Sequence, residues 1–363
     1  MQRREFLLSS ATLATATIMP WSAYLADASK PLLKLSSNEN PLGMSPKARL
    51  AAEQALKIAH RYGDSLAAQL RSEIAEIEGF NSAMVTLGNG STGILEAIMR
   101  QQAVKGATLI QPAITYGDAS WFATTANMAQ IKVPMLENFV ADLSGMEKAS
   151  LAVKGPVVVY IVTPNNPTGV LSPYKDIAAW VKRAPDNVFF IIDEAYHELV
   201  TEPSYQSCTQ LINDGYENLI VARTFSKMYA MAGMRLGYGL GSQSVIKEIR
   251  RHYSGWSVNV PAIQAGRASL KDEVFQKASL QSNEEAKKIT QEGLTNLGLK
   301  YIPSQGNFLI HEITMELKAY QRAMLAEGIR VGRDMNLGYG WNRLSLGTPT
   351  QMQRFINTLA SMV

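Results

Sequence analysis

The sequence predicts an α/β protein: a large domain with a mostly parallel sheet between helices, followed by a smaller α+β domain at the C-terminus. Three observations carry that expectation. Runs such as Pro156-Val157-Val158-Val159-Tyr160-Ile161-Val162 and Val188-Phe189-Phe190-Ile191-Ile192 are continuously apolar and β-branched, as central strands covered on both faces are. Helical patterns separate these runs, and each run ends in a polar signature. Beyond about Tyr253 the pattern changes to long helices with two isolated strands.

Composition narrows the function. A chain of 363 residues suffices for a large domain with a smaller one appended, and 46% hydrophobic with 18% charged residues describes a globular protein, neither disordered nor membrane-spanning. The net charge of +4 comes without a Lys/Arg block interleaved with aromatics, which argues against a nucleic-acid partner. A single cysteine, Cys208, excludes an internal disulfide framework and a cysteine-built metal site. His60, His197, His252 and His311 lack ligand spacing, so no metal is expected.

The N-terminus reads Met1-Gln2-Arg3-Arg4-Glu5-Phe6-Leu7-Leu8, then a weakly apolar run, then Ala26-Asp27-Ala28. A charged start, a centre too short to span a bilayer and a small-x-small end predict a secretory signal over residues 1–28, with the mature chain starting near Ser29. Its arginine pair resembles the bacterial twin-arginine signal, which implies export of the folded protein to the periplasm. Residues 29–48 form a polar arm containing Asn38-Glu39-Asn40-Pro41-Leu42-Gly43, floppy unless something ties it down.

The large domain is expected over residues 49–252. Helices run from Pro46 to about His60 and, after Arg61-Tyr62-Gly63-Asp64, to about Glu78. A strand at Met84-Val85-Thr86-Leu87 enters Gly88-Asn89-Gly90-Ser91-Thr92-Gly93, and a helix follows from Ile94 to Gln101. Glycines and hydroxyls at such a junction offer free N–H groups to an anion, or form a turn capped by a hydroxyl. A strand at Thr108-Leu109-Ile110 leads to Ala113-Ile114-Thr115-Tyr116-Gly117-Asp118, with a helix near Ser120 to Asn127. The run ending at Val162 stops in Thr163-Pro164-Asn165-Asn166-Pro167-Thr168-Gly169, a loop fixed by two prolines. The next run delivers Asp193-Glu194-Ala195-Tyr196. Ligands of such sheets bind outside the carboxyl ends of the strands, where these signatures lie. The smaller domain, residues 253–363, should hold helices over Pro261 to Leu270 and Asp272 to Leu297, with strands near Gly306 to His311 and Asn342 to Leu346.

Chemistry concentrates in Thr224-Phe225-Ser226-Lys227-Met228-Tyr229-Ala230-Met231-Ala232-Gly233-Met234-Arg235. It follows the strand Leu219-Ile220-Val221-Ala222, and an amine desolvated at a strand end beside a second cation is a nucleophile toward carbonyls. Thr224, Ser226 and Arg235 could bind phosphate beside it. A lysine with a phosphate site implies pyridoxal phosphate.

These motifs, together with Arg343-Leu344-Ser345-Leu346-Gly347-Thr348, stand in the order found in the fold-type I, pyridoxal-phosphate-dependent class I/II aminotransferases, which the chain resembles from about Leu33 to its C-terminus. Within them it most resembles the histidinol-phosphate aminotransferase branch. The resemblance implies that Lys227 carries the cofactor and shuttles the substrate proton, and that Asp193 pairs with the pyridine nitrogen. Asn166 and Tyr196 match residues that hydrogen-bond the cofactor's phenolate oxygen. Gly90, Ser91, Thr92, Thr224, Ser226 and Arg235 match the phosphate site, and Tyr116 the aromatic stacked on the ring. Tyr62 matches a tyrosine reaching the neighbouring subunit's phosphate, which implies a homodimer with shared sites. Arg343 matches the arginine that grips the substrate α-carboxylate, Asn40 a substrate-binding asparagine, and Arg333 the branch's contact to the substrate phosphate.

The expected activity is therefore transfer of an amino group from an amino acid to 2-oxoglutarate or pyruvate by a ping-pong mechanism. Histidinol phosphate is placed second as donor, because Arg333 alone can be proposed for its phosphate and export would part the enzyme from a cytoplasmic intermediate. A decarboxylase or lyase on the same scaffold, or a non-catalytic module that binds the cofactor, are the other readings.

Overall fold

The computed structural model describes residues 32–253 and 258–363. The expected signal over 1–28 lies outside the described residues. The arm begins with a short strand, β1 (Leu33–Lys34). Helix α1 (Pro46–Ala55) starts at Ser45, whose hydroxyl accepts from the Ala48 N–H with Pro46 just inside, and ends before His60 because Leu56–Ile58 tighten into a 3-10 turn. Helix α2 (Asp64–Glu78) stops at Gly79 in the left-handed conformation.

A seven-stranded sheet follows, built from β2 (Val85–Asn89), β3 (Thr108–Pro112), β4 (Gln130–Val133), β5 (Val157–Val162), β6 (Val188–Asp193), β7 (Leu219–Thr224) and β8 (Leu236–Gly241). Its order is β2-β8-β7-β6-β5-β3-β4, and only β8 runs antiparallel to its neighbours. Helices α3 (Gly90–Val104), α4 (Asp118–Thr125), α5 (Leu143–Leu151), α6 (Tyr174–Arg183) and α7 (Thr209–Asn213) lie in the connections between strands, and α8 (Gln243–Arg250) follows β8. Alternation along β5 divides its side chains between two cores: Val157, Val159 and Ile161 join one cluster, Val158, Tyr160 and Val162 the other. Both faces are covered, which is why the strand reads as unbroken apolar sequence.

Strand β8 is the element that the sequence conceals. Leu236-Gly237-Tyr238-Gly239-Leu240-Gly241 looks like a loop, yet a Cβ on Gly237 would collide with the Ser91 backbone, and one on Gly239 would stand 3.0 Å from Ile220 and 3.2 Å from Ile94. The glycines let α3 lie close against the sheet.

Helix α9 (Val260–Leu270) packs on α1 and α2, and its Ala262, Ile263 and Ala265 join the larger core. Helix α10 (Glu273–Asn296) leads into β9 (Tyr301–Ile302), β10 (Phe308–Glu312), α11 (Leu317–Ala326), β11 (Ile329–Arg330), β12 (Trp341–Ser345) and α12 (Pro349–Ala360). Strands β12, β10 and β9 form an antiparallel sheet. The arm is tied down here: β1 pairs in parallel with β11, and Leu33 and Leu35 are buried with Leu309, Leu344 and Phe355. Among the described residues no helix is long and apolar enough to cross a membrane.

Candidate active site

Strands β5, β6 and β7 are parallel and in step, Val162 lying opposite Asp193 and Asp193 opposite Ala222. Their carboxyl ends therefore deliver the 163–169 loop, Asp193 and the Thr224–Lys227 segment to one level. There they line a cavity of about 260 Å³ with Ser91, Thr92 and Tyr116 from the β2 and β3 ends, Ser36, Ser37 and Asn38 from the arm, and Arg235, Arg333 and Arg343.

Two parts of the fold hold this floor rigid. Arg223, 3% exposed, donates to Glu194 Oε2 through Nε at 3.2 Å and Nη2 at 2.9 Å, and to Glu78 Oε1 at 2.6 Å. One buried cation thus links α2 to the ends of β6 and β7, its carboxylates satisfied in turn by Cys208 N–H, Ser207 and Tyr238. The 163–169 loop is fixed by Asn165, whose Nδ2 donates to the Ile114 carbonyl and whose Oδ1 accepts from Thr115.

Asp193 is buried, with Oδ1 accepting the Ala195 N–H at 3.1 Å and Oδ2 the Tyr160 hydroxyl at 2.9 Å. Desolvation pushes its carboxyl up to about 6, while the Tyr160 hydroxyl and the Ala195 N–H pull it down. Lys227 is half-buried, its Nζ donating to the Asn38 carbonyl at 3.1 Å and lying 5.4 Å from the centre of the Tyr196 ring. Asn166 bridges the pocket: Nδ2 donates to the Tyr196 hydroxyl oxygen at 3.2 Å, and Oδ1 accepts from Arg343 at 3.0 Å. Arg343 is 5% exposed, donates also to the Ser36 carbonyl at 2.6 Å, and keeps its Nε without a partner. Burial holds this guanidinium below the usual arginine range, Tyr196 acting against that and Arg333 with it. Among the described residues it faces no carboxylate, so the charge is available to an anion entering the pocket.

The other end of the pocket is a cradle. Helix α3 begins with Gly90 at φ +70° and no side chain caps its first turn, which leaves the N–H groups of that turn and the positive end of the helix dipole facing the cavity. A Cβ on Gly90 would stand 2.7 Å from an Arg235 terminal nitrogen. Thr224 donates to Ser226 at 2.9 Å and accepts the Ser226 N–H at 3.1 Å, so both hydroxyls sit beside the cradle. Tyr116 contacts Thr92 and Asp118, and Thr92 donates to Asp118 Oδ2 at 3.1 Å. Burial first, then Asp118, raises the Tyr116 phenol well above its ordinary range.

Asn40 lies outside the pocket, and Tyr62, expected at a neighbouring subunit's site, lies away from it as well. The Asn40 amide donates to the Lys227 and Met228 carbonyls at 3.2 and 3.0 Å and to Ser279 at 2.6 Å, and its Oδ1 accepts from Leu42. Asn40 thus staples the lysine segment from behind, and Asn38 is the asparagine at the pocket. Tyr62 is 77% exposed and lines a separate cavity with Arg71 and Arg250. Conversely, Tyr160, Asn38 and Asp118 are site residues that the sequence reading passes over. Tyr160 had a signal, being the one hydroxyl in an otherwise aliphatic central strand; Asn38 and Asp118 had none until the chain is folded.

The model of the family "Aminotransferase class I and II" matches residues 30–359. The chain belongs to that family. It is 36% identical over 333 residues to histidinol-phosphate aminotransferase 1 of Dechloromonas aromatica, covering 90% of this chain and 89% of that one. Identity is 32% over 333 residues to the histidinol-phosphate aminotransferase of Brevibacillus brevis, covering 92% and 90%. A solved structure from Erwinia carotovora atroseptica, provisionally named a histidinol-phosphate aminotransferase, superposes with a TM-score of 0.88 at 40% identity, covering 91% of this chain and 96% of that one.

The protein is thus a pyridoxal-phosphate-dependent aminotransferase of fold type I. Its residues fit that cofactor. The uncapped helix start, the paired hydroxyls and Arg235 suit a phosphate; the buried Asp193 suits a protonated ring nitrogen; Lys227 lines the same cavity.

Proposed function

We propose that this aminotransferase removes the amino group of histidinol phosphate and passes it to a 2-oxo acid in ping-pong fashion. The observation that carries the reading is the pair of guanidiniums at one pocket, Arg343 buried with no carboxylate beside it among the described residues and Arg333 at the edge. In histidinol phosphate the amino-bearing carbon carries a phosphorylated CH₂–O in place of a carboxylate. Donor phosphate and acceptor carboxylate would meet the same two cations in turn, and a dianion recruits both. The names of the relatives support this donor over the general amino acid expected from the sequence.

Bound pyridoxal phosphate supplies the carbonyl that captures the donor amine and the ring that takes up the electron pair left when the Cα proton departs. The chain does the rest. Lys227 Nζ would take the proton from Cα, Asp193 would supply a negative charge to the ring nitrogen, and the α3 start, with Thr224, Ser226 and Arg235, would hold the phosphate. Asn166 joins the arginine that binds the anion to Tyr196, so the substrate-binding and proton-transfer ends of the pocket are mechanically connected.

Comparing kcat/KM for histidinol phosphate with aromatic, aliphatic and acidic amino acids tests the assignment. Histidinol phosphate is expected to lead, with a loss of about 10- to 100-fold in Arg333→Ala, the worth of one charge-assisted hydrogen bond. A flat specificity profile unchanged in the variant overturns it and favours a general amino-acid donor. That second reading draws on Arg3-Arg4, since an exported enzyme would not meet a cytoplasmic intermediate.

We also propose export through that signal and a homodimer with shared sites. Exposed Leu50, Leu56, Ile58 and Tyr62 on one stretch support the second. N-terminal sequencing of protein from fractionated cells tests export, and a cytoplasmic protein retaining Met1 counts against it. Sedimentation of the purified enzyme tests the dimer, and a monomer that retains full activity removes it.

A further inference from the structure

Asn38 stands out because all of its polar groups are engaged, and together they reach Lys227, Asn307, Ser345 and Tyr196. It is 2% exposed and holds φ at +52°, a left-handed conformation that costs most L-residues about 1–2 kcal/mol and that asparagine tolerates best after glycine. That turn aims its carbonyl at Lys227 Nζ, 3.1 Å away, and the same oxygen accepts from Asn307 at 3.1 Å. Its N–H donates to Ser345 Oγ and its Oδ1 accepts from the same hydroxyl, each at 2.7 Å. Its Nδ2 donates to the Tyr196 hydroxyl oxygen at 3.1 Å.

We infer that Asn38 is a positioning residue for the Lys227 amine, and that its left-handed backbone is what does the positioning. A free amine that donates one N–H to a fixed carbonyl has only two tetrahedral positions left for its lone pair, so the carbonyl restricts the direction from which it can take a proton. For a lysine that must take a proton from one particular carbon, that direction sets the rate. The side-chain bonds to Ser345 and Tyr196 lock the turn between β12 and the end of β6, and Asn307 at the start of β10 closes it from the other side. Asn38 also leaves Tyr196 with a defined role. Because Asn38 and Asn166 both donate to the phenol oxygen, the Tyr196 proton remains free to be donated into the pocket.

Two substitutions separate the Asn38 backbone from its side chain. Asn38→Gly keeps the left-handed turn and the carbonyl but loses the side chain; Asn38→Val cannot hold the turn, because a β-branched residue excludes it. Two readouts apply to the full-length protein. One is the rate at which a small amine-reactive reagent labels Lys227 in the cofactor-free chain at a fixed pH, relative to exposed lysines, read by peptide mass spectrometry. The other is the split between kcat and KM in the loaded enzyme. Asn38→Val should lose about 100-fold in kcat with little change in KM, the usual cost of misplacing a reacting group, and should change the Lys227 labelling rate. Asn38→Gly, which loses the side-chain lock but can still adopt the turn, should lose only about 10-fold in kcat and change the labelling rate less. Equal loss in both variants, or an unchanged labelling rate with normal kcat in Asn38→Val, overturns the inference. If Asn38→Val does not fold, the folded Asn38→Gly protein decides alone: a kcat loss of about 100-fold refutes the backbone role and one of about 10-fold or less supports it.

Discussion

Asp193 shows how one residue is set for its task by what surrounds it. Its Oδ2 accepts the Tyr160 hydroxyl and its Oδ1 the Ala195 N–H, and the residue also lines the pocket. Burial pushes its pKa up to about 6 in the protein alone, and a cation at the ring nitrogen would draw it down again. Asp193→Asn keeps the volume but removes the charge, and its NH₂ cannot accept as the replaced oxygen does, so Tyr160 has to turn its hydroxyl round to accept from it. The expected result is a fall in kcat of about 100- to 1000-fold, the cost of one preorganised electrostatic partner, with a nearly unchanged melting temperature. Steady-state kinetics beside a thermal melt check both parts, and near-normal turnover would remove Asp193 from the mechanism. The sequence named Asp193 because five apolar residues run straight into it. It could not name Asn38, because a left-handed φ and four partners spread over the chain are properties of the folded arm.

At the scale of elements, the cradle depends on how closely α3 and β8 approach. Gly90 opens α3 with a positive φ that other residues resist, and its missing Cβ leaves room for the Arg235 guanidinium. Gly90→Ala should therefore weaken cofactor binding by about 10-fold or more, from strain of about 1–2 kcal/mol plus displacement of Arg235, while secondary structure persists. Equilibrium dialysis against pyridoxal phosphate, with circular dichroism as control, measures this. Unchanged affinity would show that the anion does not rest on this turn. Strands β5 and β6 were legible because both faces are buried and the pattern is unbroken. Strand β8 was not, because its glycines answer to the approach of α3 rather than to any strand preference.

For the whole molecule, stability toward acid depends on groups far from the cavity. His311 in β10 is fully buried; its Nδ1–H donates to the Glu312 carbonyl at 2.8 Å, and Nε2 accepts from Tyr320 at 3.3 Å, so the neutral ring is satisfied. Burial lowers its pKa from 6.5 to about 4. The folded state then resists protonation that the unfolded chain accepts. Its contribution is complete above the unfolded value and is lost as pH falls through the folded one, about 3 kcal/mol in all. Asp193, with a raised pKa, acts in the opposite direction over a similar range in the cofactor-free protein, so the whole-protein profile alone would hide the effect. The difference between wild type and His311→Gln exposes it. In urea unfolding that gap should narrow by about 3 kcal/mol between neutral pH and about pH 4; a constant gap would mean that His311 does not titrate as its burial dictates.

The sequence by itself determined the fold class and most of the reactive set, because parallel strands buried on both faces write long apolar runs and place their chemistry at the ends of those runs. Lys227, Asp193, Asn166, Tyr196, Thr224 and Ser226 all follow such ends and meet in one cavity. Tertiary structure alone decided what comes from a distance. It brought the arm through β1 and β11 to the lysine, chose Asn38 over Asn40 for the pocket, and turned Arg343 inward onto Asn166 and the Ser36 carbonyl. Those choices depend on partners hundreds of residues away, Asn38 and Ser345 being 307 apart, and no local pattern can record a contact of that span.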